Sequence, residues 1–315
     1  MLIPLPAPLV GIFPPLVTPL RDRDTLDVAG FERLIEHVLA GGVHGLFLLG
    51  TTGEGPGLSQ KLRAEVVERG CRQVAGRVPV LVGVTDTSFV ESVRLAEMAA
   101  NAGAQAVVIA PPSYFVASQA EVAGYVERFT NTTSLPTFLY HIPSLTKVGF
   151  ETETIRRLVQ VPEIAGLKDS GRDMQYLHEV REIAAVRPDF SILIGPEELL
   201  GEAILLGAHG GMCGGANMNP RLYVDLYQAA KAGDLARVRE LHAQVIRIST
   251  AIYTLGARES SYFRGLKCAL SCLGLCDDVL AEPYEPFAAP EREIIRNRLV
   301  DLGLLAAAEP RLGRA

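Results

Sequence analysis

Along the chain, short apolar runs alternate with loops rich in Gly, Pro, Ser and Thr, and then with longer amphipathic stretches. Eight such runs occupy residues 10–17, 43–49, 79–84, 105–110, 136–140, 164–168, 190–195 and 210–214. Each is too short for a helix and none alternates strictly, which is the pattern of strands covered on both faces, as in a parallel sheet. Between them the apolar positions take helical spacing: Val28, Phe31, Leu34, Ile35 and Val38 after the first run, and Phe89, Val93, Ala96 and Ala100 after the third. Eight strand-helix units at a spacing of roughly 25 to 30 residues suit a closed (β/α)8 TIM barrel better than an open sheet. Past the eighth run only helical spacing remains. Leu235, Val238, Leu241, Val245, Ile248 and Ile252 mark one helix face, and further helices are expected over 258–273 and 291–304. The chain is therefore expected to divide into a catalytic barrel over 8–230 and a C-terminal helical segment over 231–315, packed on the barrel.

Composition narrows the class. With 48 % hydrophobic and 21 % charged residues, the 315-residue chain has ample apolar surface to bury, so large-scale disorder is not expected. A formal net charge of -6 and the lack of a Lys/Arg-rich run argue against a nucleic-acid partner, which demands clustered positive charge. No apolar run reaches about 18 residues without a charge, Gly or Pro, so no membrane span is expected. The opening MLIPLPAP, with its prolines and no basic leader, does not read as a secretory signal, and the cytoplasm is the expected compartment. Five cysteines, an odd count, suit reduced thiols. Cys268, Cys272 and Cys276 recur at helical spacing and are expected to line a core rather than bind metal.

Barrel enzymes carry their chemistry at the C-terminal ends of the strands, so those ends hold the candidates. The second run closes in Gly50-Thr51-Thr52-Gly53-Glu54-Gly55, whose glycines allow a tight turn exposing amides beside two hydroxyls. Such a loop can hold a carboxylate, or it is an ordinary Gly-rich turn. The fifth closes in Tyr140-His141-Ile142-Pro143-Ser144, placing a phenol to relay a proton or simply to pack. The sixth closes in Gly166-Leu167-Lys168-Asp169-Ser170, so a lysine leaves a buried strand. Desolvation there favours the neutral amine that attacks carbonyls, unless the side chain snorkels to water. After the seventh come Gly195-Pro196-Glu197-Glu198, an acidic pair that can accept polyol hydroxyls or merely favour the first turn of a helix. Gly210, Gly211, Gly214 and Gly215 lack the Lys-Ser/Thr ending of a phosphate loop; they are read as making room for substrate, with Met212 facing the same pocket.

GTTGE at 50–54, YHIPS at 140–144, GLKDS at 166–170 and the intervals between them resemble the dihydrodipicolinate synthase / N-acetylneuraminate lyase family of class I pyruvate-dependent aldolases, over nearly the whole chain. The resemblance implies a TIM barrel, a Schiff base between Lys168 and pyruvate or a larger 2-oxo acid, and proton relay by Tyr140. It implies carboxylate binding by Thr51 and Thr52 with Gly53, and no metal or other cofactor. It also implies a homotetramer built from tight dimers, in which Tyr114 of PPSYF reaches into a neighbouring subunit's site and completes, with Thr51 and Tyr140, a hydroxyl relay for the proton. Departures bear on the substrate. Leu145 stands where the synthase carries an arginine for its aldehyde's carboxylate, so a dicarboxylic substrate is expected to be poor. Gly195, Glu197 and Glu198 resemble the sugar-hydroxyl-binding stretch of neuraminate lyases. Lys147 replaces a usual Gly, and His141 a frequent Asn. The expected activity is cleavage or formation of a 2-keto-3-deoxy sugar acid, or related 4-hydroxy-2-oxo acid, from pyruvate and an aldehyde. The alternatives are 4-hydroxy-tetrahydrodipicolinate synthase activity and a catalytically silent sugar-acid binder.

Overall fold

The computed structural model describes residues 4–256 and 260–306. Its first strand, β1 (Gly11–Ile12), precedes a small antiparallel hairpin of β2 (Leu20–Asp22) and β3 (Thr25–Leu26), which the apolar pattern does not announce. The remaining apolar runs supply β4 (Leu46–Leu48), β5 (Val80–Gly83), β6 (Ala106–Ile109), β7 (Thr137–His141), β8 (Ile164–Asp169), β9 (Ser191–Ile194) and β10 (Gly210–Gly211). All eight barrel strands are parallel, in the order β1-β10-β9-β8-β7-β6-β5-β4. The ring is completed where the chain after β1 runs beside β4. Leu16 N–H donates to the Phe47 carbonyl at 2.8 Å, and Phe47 N–H to the Pro14 carbonyl at 3.0 Å. β1 is shorter than its apolar run because Pro14 and Pro15 have no amide to contribute to a ladder.

Strand alternation separates two apolar cores. Phe13, Phe47, Leu81, Val108, Phe138, Tyr140, Leu193 and Met212 fill the barrel interior. Their neighbours, such as Val82, Val107, Leu139 and Leu167, point outward into the layer shared with the helices. That layer is built by α1 (Val28–Ala40), α2 (Gln60–Val74), α3 (Phe89–Ala102), α4 (Gln119–Thr130), a single turn α5 (Pro143–Thr146), α6 (Thr152–Leu158), α7 (Met174–Ala184), α8 (Leu200–Leu205) and α9 (Pro220–Lys231). Side-chain caps start several of them: Asp27, Ser59 and Ser88 each accept an amide of the first turn, and Ser118 with Glu121 forms a capping box.

The C-terminal segment contributes α10 (Leu235–Ile252), α11 (Ser261–Cys272) and α12 (Ala289–Asp301). The predicted stripe on α10 is buried from Val238 to Ile252, but Leu235, at the first helical position, is exposed. Residues 258 and 259, where the apolar pattern begins the next helix, lie outside the described residues. Cys268 and Cys276 are buried and Cys272 half-buried. No helix among the described residues is long and apolar enough to cross a membrane.

Candidate active site

Lys168 and Tyr140 are register partners on β8 and β7, so both side chains enter the barrel at the same height. Lys168 is 3 % and Tyr140 7 % exposed. The lysine Nζ stands 3.9 Å from the centre of the Tyr140 ring and 4.7 Å from that of Phe47. The Tyr140 hydroxyl lies 3.2 Å from Thr51 Oγ1. Burial alone would raise this phenol; the charge of Lys168 and hydrogen bonds with Thr51, Lys168 and Ser170 outweigh it and bring the group below its ordinary value. A phenol so placed can exchange a proton at the mouth of the barrel.

These groups open onto a cavity of about 400 Å³ at the C-terminal ends of the strands. Thr51, Thr52, Gly195, Met212, Glu197, Glu198 and Leu145 line it as well, Leu145 half-exposed at the mouth. Two expected residues do not. The Gly53 amide bonds the Gly50 carbonyl, and a Cβ on Gly53 would fall 2.6 Å from the Leu16 carbonyl oxygen, so this glycine serves packing against the chain after β1. Indeed the amides of Gly53, Glu54 and Gly55 all bond carbonyls inside the turn, whereas Thr51 and Thr52 line the cavity. Tyr114, with φ of 83°, projects from the loop after β6, 83 % exposed and edge-on to Phe115, outside the cavity of its own chain.

The acidic pair splits. Glu197 is turned inward, where it accepts from the Tyr223 hydroxyl at 2.6 Å, the Tyr253 hydroxyl at 2.9 Å and the Gly215 amide at 2.7 Å. Burial raises it to about 7 despite those three donors. Glu197 thus lines the cavity wall with Oε1 taken by two phenols and Oε2 by the amide. Glu198 accepts from Ser249 Oγ at 2.7 Å and remains at the cavity surface. In the turn after β10, a Cβ on Gly214 would sit 1.7 Å from the Tyr262 hydroxyl, and one on Gly215 1.9 Å from that of Tyr223. Gly214 and Gly215 thus make room for phenols, while Gly210 packs on the Gly11 backbone.

Four lining residues escape the strand-end reading: Arg172, Tyr253, Tyr262 and its neighbour Phe263. Tyr253 closes α10 and Tyr262 opens α11, in a segment where no strand ends and no motif flags them. Arg172 lies in the loop after β8, in the left-handed region at φ of 61°, with Nη2 3.8 Å from Glu198 Oε2. A guanidinium therefore does reach the mouth, although Leu145 occupies the place where one was sought; it arrives from the next strand's loop. A basic residue four positions past Lys168 was the available signal. Lys147 and His141 belong elsewhere. They border a larger, shallower groove of about 810 Å³ that is lined by neither Lys168 nor Tyr140. Lys147 takes φ of 67° at the end of α5, the conformation for which glycine is the usual residue. His141 points outward, accepts the Phe150 amide on Nδ1, stacks on Tyr176 and is lowered by burial to about 4.

Residues 8–301 match the Dihydrodipicolinate synthetase family. The chain is 52 % identical to a solved dihydrodipicolinate synthase from Bacteroides thetaiotaomicron, with a TM-score of 0.91 over 96 % of this chain and 100 % of that one. A prophage protein of the dihydrodipicolinic acid synthase family from Escherichia coli K12, solved in complex with pyruvate, is 28 % identical with a TM-score of 0.89, covering 94 % and 99 % of the two chains. A probable 2-dehydro-3-deoxy-D-pentonate aldolase of Escherichia coli K12 is 33 % identical over 89 % of this chain and 90 % of its own.

Proposed function

The chain belongs to the dihydrodipicolinate synthetase family of pyruvate-dependent lyases and aldolases, and from that premise we propose that it cleaves, or forms, a 2-keto-3-deoxy sugar acid or related 4-hydroxy-2-oxo acid through a Schiff base on Lys168. The observation that carries this reading is the buried Lys168 amine beside Tyr140, with the Thr51 hydroxyl in reach of that phenol. Lys168, as free amine, adds to the C2 ketone, and the Tyr140 proton passes to the departing hydroxyl, so that water leaves and an iminium stands beside the Tyr140 phenolate. The C3–C4 bond then breaks, its electron pair moving into the iminium to form an enamine. The C4 hydroxyl proton passes to the Tyr140 oxygen, which lies beside Thr51, and the C4 fragment departs as an aldehyde. The proton returns to C3, and hydrolysis releases pyruvate. Thr51 and Thr52 would hold the C1 carboxylate. Leu145 and Glu198 at the mouth favour a polyhydroxy tail, since a carboxylate accepts hydroxyl hydrogen bonds well.

A second reading is favoured by Arg172. Its guanidinium could hold a carboxylate on the aldehyde, as condensation of pyruvate with aspartate semialdehyde would require. Borohydride reduction in the presence of pyruvate should add one pyruvate-derived mass to the peptide containing Lys168, and none to Lys168→Arg. A coupled pyruvate-release assay over 2-keto-3-deoxy sugar acids and 4-hydroxy-2-oxoglutarate, run beside the condensation assay, separates the two readings. The sugar-acid reading predicts the highest kcat/KM on a polyhydroxy acid and a loss on the order of tenfold in Glu198→Gln. If aspartate semialdehyde gives the highest value, the second reading takes its place. No adduct in the folded wild type would leave only a silent binder.

A further inference from the structure

Thr51 and Thr52 are adjacent on one loop, yet their hydroxyls meet different phenols. Thr51 Oγ1 is 3.2 Å from the Tyr140 hydroxyl, and Thr52 Oγ1 is 3.0 Å from that of Tyr262, a residue 210 positions away in the chain. Thr52 is buried, and both it and Tyr262 face the cavity. The wall is shaped for this second ring. Gly214 leaves the space its hydroxyl fills, and Tyr253 packs edge-on against it with ring centres 4.8 Å apart. The helix that bears Tyr262 grips the loop a second time, because Lys267 of α11 is paired with Glu54 at 2.5 Å in a site closed to water.

We propose that Tyr262 is a positioning residue for the substrate carboxylate: its hydroxyl donates to Thr52 Oγ1, so that the single Thr52 proton is left to point into the cavity at the carboxylate of the 2-oxo acid. The proposal rests on the carboxylate cradle assigned above to Thr51 and Thr52. Direction matters because a threonine hydroxyl has one proton, and donating it to Tyr262 would leave none for the substrate. The two phenols stand in opposite environments. Burial, with the nearby Glu197 charge, pushes Tyr262 well above the ordinary phenol value, and the bond to Thr52 only moderates this. Tyr262 thus keeps its proton throughout the neutral range. Tyr140, brought down by Lys168, is the phenol set to exchange one. Groups whose environments drive them apart in this way take different roles, one static and one reactive.

The test is a separation of binding from turnover in the full-length enzyme. Tyr262→Phe keeps the ring and removes only the donor. Its half-saturating pyruvate in borohydride trapping should rise roughly tenfold, as expected for one weakened charge-assisted hydrogen bond, while trapping at saturation and kcat change by less than about threefold. Tyr140→Phe should behave in the converse way, with kcat down on the order of a hundredfold and trapping retained. Trapping of acetone, a ketone with no carboxylate, should be equal in wild type and Tyr262→Phe. Thr52→Val should reproduce the rise in half-saturation, and adding Tyr262→Phe to it should raise it no further. An unchanged half-saturation in Tyr262→Phe overturns the proposal. So does an equal loss for acetone and pyruvate, or full additivity with Thr52→Val. Absence of any adduct in the wild type would overturn the Schiff-base reading itself, and the role of Tyr262 with it.

Discussion

Glu197 holds its carboxylate against Tyr223, Tyr253 and the Gly215 amide, and burial lifts it from an ordinary 4.5 to about 7. The folded chain therefore retains a proton that the unfolded chain releases at lower pH. Stability linked to that proton is complete below pH 4.5 and is lost as pH rises through about 7. Relative to Glu197→Gln, which cannot titrate, the wild type should lose about 3 kcal/mol across that window, read as the difference between urea melts at a series of pH values. A difference that stays flat would mean that the buried carboxylate ionises at its ordinary pH. Only the difference is diagnostic, since His141, lowered to about 4, acts with the opposite sign: its contribution is present above 6.5 and is lost as pH falls through 4. At this scale Lys168, Tyr140 and the threonines are legible from sequence as candidates because each ends a strand or follows one closely, and strand ends in a barrel converge. The inward turn of Glu197 is not legible. Neighbouring acids in a short turn look alike until their partners, Tyr223 and Tyr253, arrive from distant helices.

At the scale of elements, α11 and the loop after β4 act as one unit. Glu54 sits in the left-handed region at φ of 56°, accepts the Ala281 amide at 2.7 Å and pairs with Lys267, whose amine also donates to the Val279 carbonyl at 2.6 Å. Burial lowers Lys267, while Glu54 acts in the other direction to favour its charged form. Lys267→Met alone leaves a buried carboxylate without its partner and should cost about 3 to 5 kcal/mol in chemical denaturation. Glu54→Gln combined with Lys267→Met should recover most of that, because an uncharged pair needs no mutual compensation. A double variant as unstable as the single would mean that the lysine contributes through packing instead. The elements themselves follow closely from apolar spacing, and their ends deviate where backbone chemistry intervenes: Pro14 and Pro15 shorten β1, and the expected helix over 291–304 runs from 289 to 301. The hairpin of β2 and β3 is too short to have a period.

For the whole molecule, the surface bears Tyr114, Phe115 and Val116, at 83, 80 and 75 % exposure, a set of apolar side chains that water does not favour. If, as the family resemblance implies, Tyr114 completes the site of a neighbouring subunit, activity can be shared between chains. Lys168→Arg and Tyr114→Phe should each be impaired, yet co-expressed subunits should recover on the order of a quarter of wild-type turnover, because half of the sites in a mixed dimer join an intact Lys168 to an intact Tyr114. No recovery would confine Tyr114 to the surface of its own chain. What the sequence determined by itself is local in origin: eight apolar runs with helical stretches between them are enough to specify a barrel, and motifs of five residues at the strand ends single out Lys168, Tyr140 and the two threonines as its candidates. The tertiary structure alone decided which groups share the cavity. Closure of the ring carried the C-terminal helices to the mouth, set Tyr262 against Thr52 across 210 positions, brought Arg172 beside Glu198 and turned Glu197 inward. Those pairings depend on packing between segments separated in the chain, and apart from the place of Arg172 four positions past Lys168, neither periodicity nor short-range spacing holds a signal for them.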